Sequence, residues 1–144
     1  KKLIDVSSIS SATITVGSAG SLGNSGARTG VAGGNSVWSD GTNTVTGGGG
    51  SGGSGSGNNV RHIGGDGGTA SGGDLNINGQ AAAWSGRYRD TGGDSVLGRG
   101  RRIDSPQVTE YVPSTGYGGG GLGGDASVTQ GGSANGIVIV TEYK

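Results

Sequence analysis

The chain has 144 residues, of which 38 are Gly, 2 are Pro and none is Cys, Phe or Met, and its 10 basic and 10 acidic side chains cancel. Without Cys there are no disulfides or thiolate metal sites, and a neutral chain lacks the field that draws nucleic acid or anionic membrane. No apolar run approaches the roughly 18 residues that span a bilayer. With 28% apolar residues a conventional side-chain core is out of reach, so backbone hydrogen bonds must carry an unusual share of any stability.

In chain order, the first predicted strand is Leu3-Ile4-Asp5-Val6 and the second, with period-2 alternation, is Ala12-Thr13-Ile14-Thr15-Val16. Short strands are expected at 36–39, 43–46, 74–78 and 107–112, with Asp40-Gly41 as a two-residue hairpin signal between the first two. No helical periodicity exists, because Ala81-Ala82-Ala83-Trp84 is too short and Gly79 and Gly86 bracket it. The apolar run richest in β-branched residues is Ile137-Val138-Ile139-Val140, extended by Thr141-Glu142-Tyr143. A strand this hydrophobic needs something to pair with, which argues that the glycine-rich body is folded although its composition resembles a linker. The expected arrangement is an all-β/irregular domain over residues 1–144, a piece of a longer polypeptide. Its N-terminal strands and the strand 137–140 would meet in one small sheet that closes the body.

Between these strands lie Gly tracts at 17–34, 47–57, 64–73, 92–100, 116–124 and 131–136. They do not keep the period of three that collagen requires, and two prolines are too few. Three readings stay open: a flexible linker, a series of tight turns at positive φ, or extended polyproline-II-like segments packed side by side. In the last, the absence of Cβ lets backbones approach closely and bond through N–H and C=O.

Several stretches resemble the glycine-rich C-terminal tip domain of bacteriophage tail fibres. They are 12–20 (Ala-Thr-Ile-Thr-Val-Gly-Ser-Ala-Gly), Ala32 to Trp38, Gly47 to Gly50, Gly72 to Gln80, Gly116 to Gly121 and the closing Asn135 to Tyr143. The closing motif is the most specific, and the resemblance covers nearly the whole chain in the expected order. It implies a host-attachment domain at the distal end of a virion's tail fibre. The fibre would be a homotrimer built through its shaft, and the domain would bind a bacterial surface glycan, lipopolysaccharide or outer-membrane protein. It also favours polyglycine-II-like packing of the tracts. Two features depart from the pattern: the charge of Arg99-Gly100-Arg101-Arg102, and Gln107 to Pro113, which resembles an inserted variable loop.

A sugar presents apolar faces ringed by hydroxyls, so aromatic rings beside planar polar groups are the side chains that recognise it, and Arg forks onto phosphate. The densest such cluster holds Trp84, Arg87 and Tyr88, with His62, Tyr111 and Tyr117 as further receptor-contact candidates. Equally, Trp84 and Tyr88 could form a small core that glycine cannot provide. His62 is the only His and has no ligand spacing around it, so no metal or other cofactor is expected. Nucleic-acid binding and membrane insertion are not expected either. An enzyme is not expected: no Ser/His/Asp arrangement stands out, and Lys occurs only at 1, 2 and 144, which removes the phosphate-cradling Gly-Lys-Ser/Thr loop. The alternative to a receptor-binding tip is a structural glycine-rich module, a trimerisation cap or rod bundle.

Overall fold

The computed structural model describes residues 1–21, 30–53, 64–82, 92–100, 114–121 and 133–143. Among these there is no helix, and the fold is all-β and irregular. Four strands form an antiparallel sheet in the order β1 (Thr13–Thr15), β2 (Ser36–Ser39), β3 (Thr44–Gly47) and β4 (Ala70–Ser71). A separate two-stranded ladder joins β5 (Gly98–Arg99) to β6 (Thr115–Gly116). The strands form where Thr, Val, Ile and Trp interrupt the glycine. These residues suit a pleated surface, and the register aligns Ile14, Trp38 and Val45 in one cross-strand row.

Much of the remaining described chain lies in eight segments that are neither helix nor strand: 17–21, 30–34, 48–53, 64–69, 77–82, 92–94, 118–121 and 133–137. Each bonds to its neighbours through the backbone. Segment 17–21 meets 30–34 through Gly34 N–H to the Ser18 carbonyl (2.9 Å) and Val31 N–H to that of Ser21 (3.0 Å). The next rungs are Gly33 to Gly50 and Gly30 to Gly53, then Gly48 to Thr69 and Ser51 to Asp66, then Gly79 to Gly68 and Ala82 to Gly65. Gln80 donates to Asp94, Gly120 to Gly93, Gly118 to Asn135, and Ala134 to Gly119. The circuit closes where Gly136 N–H reaches the Gly17 carbonyl (2.9 Å). The last segment is thus bonded to the first, and the order is a ring. In the first four pairs the partners run in opposite directions, and successive rungs lie three residues apart on each chain.

A three-residue spacing differs from the two-residue repeat of a strand. It also explains the glycine. A Cβ built on Gly68 would stand 2.6 Å from the Gly48 carbonyl carbon, and one on Gly65 would stand 2.7 Å from that of Ser51. Every position classed as buried among the described residues is a glycine: 17, 53, 92, 100 and 119. Among the described residues no large side chain is fully buried, and a cavity of about 270 Å³ is bordered by all eight segments.

The sheet continues the ring. Strands β1, β2, β3 and β4 prolong the first four segments, and their order in the sheet is the order of those segments in the ring. At the junction Asn and Ser side chains take over as acceptors. Asn35 Oδ1 accepts from Gly49 N–H (3.0 Å), Asn78 Oδ1 from Ala70 N–H (2.8 Å), and Ser36 Oγ from Gly17 N–H (2.9 Å).

The strands expected at 36–39 and 43–46 correspond to β2 and β3, and 12–16 contains β1. The hairpin reverses one residue later than expected, around Gly41-Thr42, because Asp40 N–H still bonds to the Asn43 carbonyl (3.2 Å). Gly41 supplies the positive φ of 92°, and the Asp40 carboxylate accepts from the Thr42 and Asn43 N–H groups and from Asn43 Nδ2. The expected sheet of terminal strands does not form. Residues 3–6 and 137–140 are not strands, and β1 pairs with β2 instead. Segment 17–21 already lies beside 30–34, so β1 meets β2 as the two chains run on, while the ring closes at 133–136. Residues 74–78 form no strand. Gly72 takes φ 75°, the Asn76 side chain bonds Gly73, and Leu75 exchanges backbone bonds with Lys1. The expected strand at 107–112 lies outside the described residues.

Candidate functional site

The alternating direction of the segments sorts the chain between two ends of the ring. At one end stand the residues flanking the five stretches outside the described set: Ser21 and Gly30, Gly53 and Gly64, Ala82 and Gly92, Gly100 and Ser114, Gly121 and Ser133. Their contacts run round the ring as a rim. Ser133 Oγ accepts from Gly20 N–H (2.6 Å). The Ser21 carbonyl accepts from Val31, Gly30 N–H reaches Gly53 (2.8 Å), and Ala82 N–H reaches Gly65 (3.0 Å). A Cβ on Gly100 would stand 2.7 Å from the Gly93 carbonyl oxygen, and Gly120 N–H bonds that same oxygen (2.8 Å). The β5–β6 register, Arg99 opposite Thr115, places Ser114 across from Gly100.

At the other end are the sheet, the turn 95–98, the bend 116–118 and the first residues of the chain, held by Lys1 and Leu3 against 74–75. We call this end the base.

Of the candidate receptor contacts, Trp84, Arg87, Tyr88, His62 and Tyr111 lie outside the described residues. The chain on either side of each is anchored at the rim. Tyr117 is not there. It lies at the base between Gly116 and Gly118, both at positive φ. Its N–H donates to the Leu97 carbonyl (3.2 Å), and its own carbonyl accepts from Ser95 Oγ. Its ring is half exposed. Tyr117 is therefore separated by the length of the ring from the positions flanking the other five.

The rim is made of small residues whose polar backbone groups bond to one another, and its chemistry is that of a mount. Of the basic run at 99–102 only Arg99 and Gly100 are described. Asp94 accepts from Gly100 N–H through Oδ1 (2.7 Å) and so braces the segment below the rim. Among the described residues the carboxylates whose pKa is displaced, Asp40 and Asp5, are at the base. Hydrogen bonds from Asn43, side chain first and then backbone, hold Asp40 below the usual carboxylate range, and the Ser7 backbone N–H does the same for Asp5. Among the described residues no three His, Cys, Asp or Glu side chains gather where a metal could sit.

The polar clamps of the ring were not foreseen. Ser133 Oγ and Asn135 Oδ1 accept from Gly20 and Ala19 N–H and secure the closing seam. Their signal is a local one: Asn35, Asn78 and Asn135 each adjoin a Gly at the base end of a segment. No family model, curated protein or solved structure matches the chain.

Proposed function

We propose that this chain is the receptor-binding tip of a bacteriophage tail fibre. It would act at the outer end of a virion and attach it to a bacterial surface glycan or lipopolysaccharide. The observation that carries the reading is the sorting of the ring. The residues flanking the five internal stretches outside the described set stand at one end, and the base with residues 1–12 is at the other. A rigid body that presents several segments side by side is the arrangement in which binding residues are held by a scaffold while their sequence varies. The proposed receptor contacts are Trp84, Arg87 and Tyr88 in 83–91, His62 in 54–63 and Tyr111 in 101–113, stretches whose flanking residues stand at the rim. Rings of this kind stack on sugar faces and Arg forks onto phosphate. Tyr117, at the base, is not among them. The base faces a threefold shaft, and no catalytic step is assigned. The ring segments are polyglycine-II-like, a reading supported by their three-residue rungs and by the glycines that these close approaches require.

The test is direct binding of the purified chain to an array of bacterial surface glycans and lipopolysaccharides, and to intact cells. Trp84→Ala and Arg87→Ala should each weaken binding at least tenfold and leave the melting midpoint within a few degrees. Replacing 54–63 and 83–91 with Gly-Ser linkers of equal length should abolish binding. Unchanged binding in these variants overturns the proposal, and unfolding of Trp84→Ala would assign that ring to the core instead.

A further inference from the structure

We infer that Lys2 and Asn43 join in an amide cross-link, assisted by Asp40, which ties residues 1–3 covalently to the β2–β3 hairpin. The chain has only three lysines, Lys1, Lys2 and Lys144. Lys2 Nζ donates to Asn43 Oδ1 at 2.9 Å, across 41 residues and in a part-buried setting. On its other side the same amide donates from Nδ2 to Asp40 Oδ2 (3.0 Å). One primary amide is thus held between an amine and a carboxylate, the amine at its oxygen and the carboxylate at its nitrogen. Amide exchange requires these parts: a nucleophile beside the carbonyl carbon and a proton carrier on the leaving nitrogen.

Other bonds fix both sides of the contact. Asp40 Oδ1 accepts from the Thr42 and Asn43 N–H groups, and Asp40 N–H reaches the Asn43 carbonyl (3.2 Å). Both carboxylate oxygens are thereby engaged by the hairpin, and the lysine meets the amide oxygen instead. Lys2 is held by its own neighbours, since Leu75 N–H donates to the Lys1 carbonyl (3.1 Å) and Leu3 N–H to Asp74 Oδ2 (2.9 Å). Groups positioned in this way react with the advantage of an intramolecular encounter. In the reaction Nζ, as the neutral amine, attacks Cγ of Asn43. The Nζ–Cγ bond forms, the Cγ–Nδ2 bond breaks, and ammonia leaves. The proton that Nζ gives up is replaced at Nδ2 through the Asp40 carboxyl, which ends as it began, so no oxidant or second substrate is consumed. The charged groups that neighbour Lys2 in the fold or along the chain are Asp40 of the hairpin, Asp74 of the turn 72–76, and Lys1 and Asp5 of its own segment.

The cross-link is independent of the receptor reading, because none of its residues stands at the rim. The folded chain, incubated at mildly alkaline pH where more of the amine is neutral, should become lighter by one ammonia. Peptide mapping should then find the peptide that holds Lys2 joined to the one that holds Asn43. Lys2→Arg keeps the cation but should retain its full mass and its melting transition. The link closes a loop across 41 residues, so the joined form should melt roughly 10 °C above Lys2→Arg. Asp40→Asn keeps an acceptor for the turn and loses the proton carrier, and it should slow joining at least about tenfold. Full mass in the incubated native chain overturns the inference. So does loss of ammonia with the two peptides unlinked, which would assign the loss to backbone cyclisation at an Asn. An equal rate in the urea-unfolded chain would show that the fold does not place the pair, and an unchanged rate in Asp40→Asn would overturn the role given to Asp40.

Discussion

The rung between segments 30–34 and 48–53 allows glycine's purpose to be tested twice within a few ångströms. A methyl placed on Gly49 would stand 2.9 Å from the Gly33 Cα and nearer still to its carbonyl carbon and oxygen. Carbon and oxygen settle at about 3.3 Å or more, so the Gly33 backbone must retreat by roughly 1 Å. That retreat strains or breaks the Gly33 N–H to Gly50 bond of 3.0 Å. One backbone hydrogen bond is worth about 1 kcal/mol and forced overpacking costs about 1–3 kcal/mol, so Gly49→Ala should destabilise by about 2–4 kcal/mol. Gly33→Ala is the counterpart. Its methyl would sit 3.5 Å from the Ser18 carbonyl oxygen and 3.7 Å from the Gly49 Cα, which is ordinary contact, and its φ is not positive. Loss of freedom in the unfolded chain should then stabilise by about 0.4–1 kcal/mol. In a chain of this size 1 kcal/mol moves the melting midpoint by about 4 °C. Thermal melts followed by far-UV circular dichroism should therefore separate the two variants by at least about 10 °C, in opposite directions from the parent. Equal effects, or a neutral Gly49→Ala, would refute the argument that glycine is present for close backbone approach.

Ser133→Ala strands the Gly20 N–H at the closing seam. It should cost about 1–2 kcal/mol, and amide exchange at Gly20 should quicken more than at Gly68, which lies elsewhere in the ring. Asp40 has its pKa lowered by the hairpin, so its contribution is present above the ordinary carboxylate range and is lost as pH falls through the folded value. Asp40→Asn should remove that part of the acid dependence in a pH series of thermal melts. The Asn135-Gly136 and Asn78-Gly79 dipeptides are chemically prone to cyclise, with the Gly nitrogen attacking the Asn side-chain carbonyl and ammonia leaving. In the fold both nitrogens are bonded, to Gly17 and Gly68, at 2.9 Å each. Mass spectrometry should find them intact in native protein and deamidated after incubation in denaturant, and equal rates would count against a closed seam.

The sequence was most readable where side chains carry a pattern. Val37-Trp38 and Thr44-Val45-Thr46 alternate and bracket a reversal, and both are strands. The reversal point was missed by one residue because the Asp40–Asn43 pairing is decided by side-chain hydrogen bonds that composition does not reveal. Leu3 to Val6 and Ile137 to Val140 have the residues of strands, but strand formation needs a partner, and within this chain the ring supplies their neighbours with other ones. The Gly tracts were located correctly, whereas their order was not legible, because glycine has no side chain by which to recognise its neighbour. The rung spacing and the closing contact depend on distances across the fold, as in Gly17 with Gly136. Of the candidate site residues only Tyr117 is described. It was grouped with the others for being aromatic, while the direction of the chain through 116–118 takes it to the base.

The closing seam also bears on how the protein is made. Gly17, Ala19 and Gly20 bond with Gly136, Asn135 and Ser133 across sequence separations of more than 110 residues. Contacts of this range are paid for late in folding. While the ribosome is still adding residues 122–132, segment 17–21 has a partner on one side only, and the growing array of segments keeps an open flank on which another nascent chain could lodge. The ring can close only once residues 133–136 have left the exit tunnel. Completion of this fold therefore waits on its last segment, and crowding of several nascent copies on one message favours mispairing before that segment emerges.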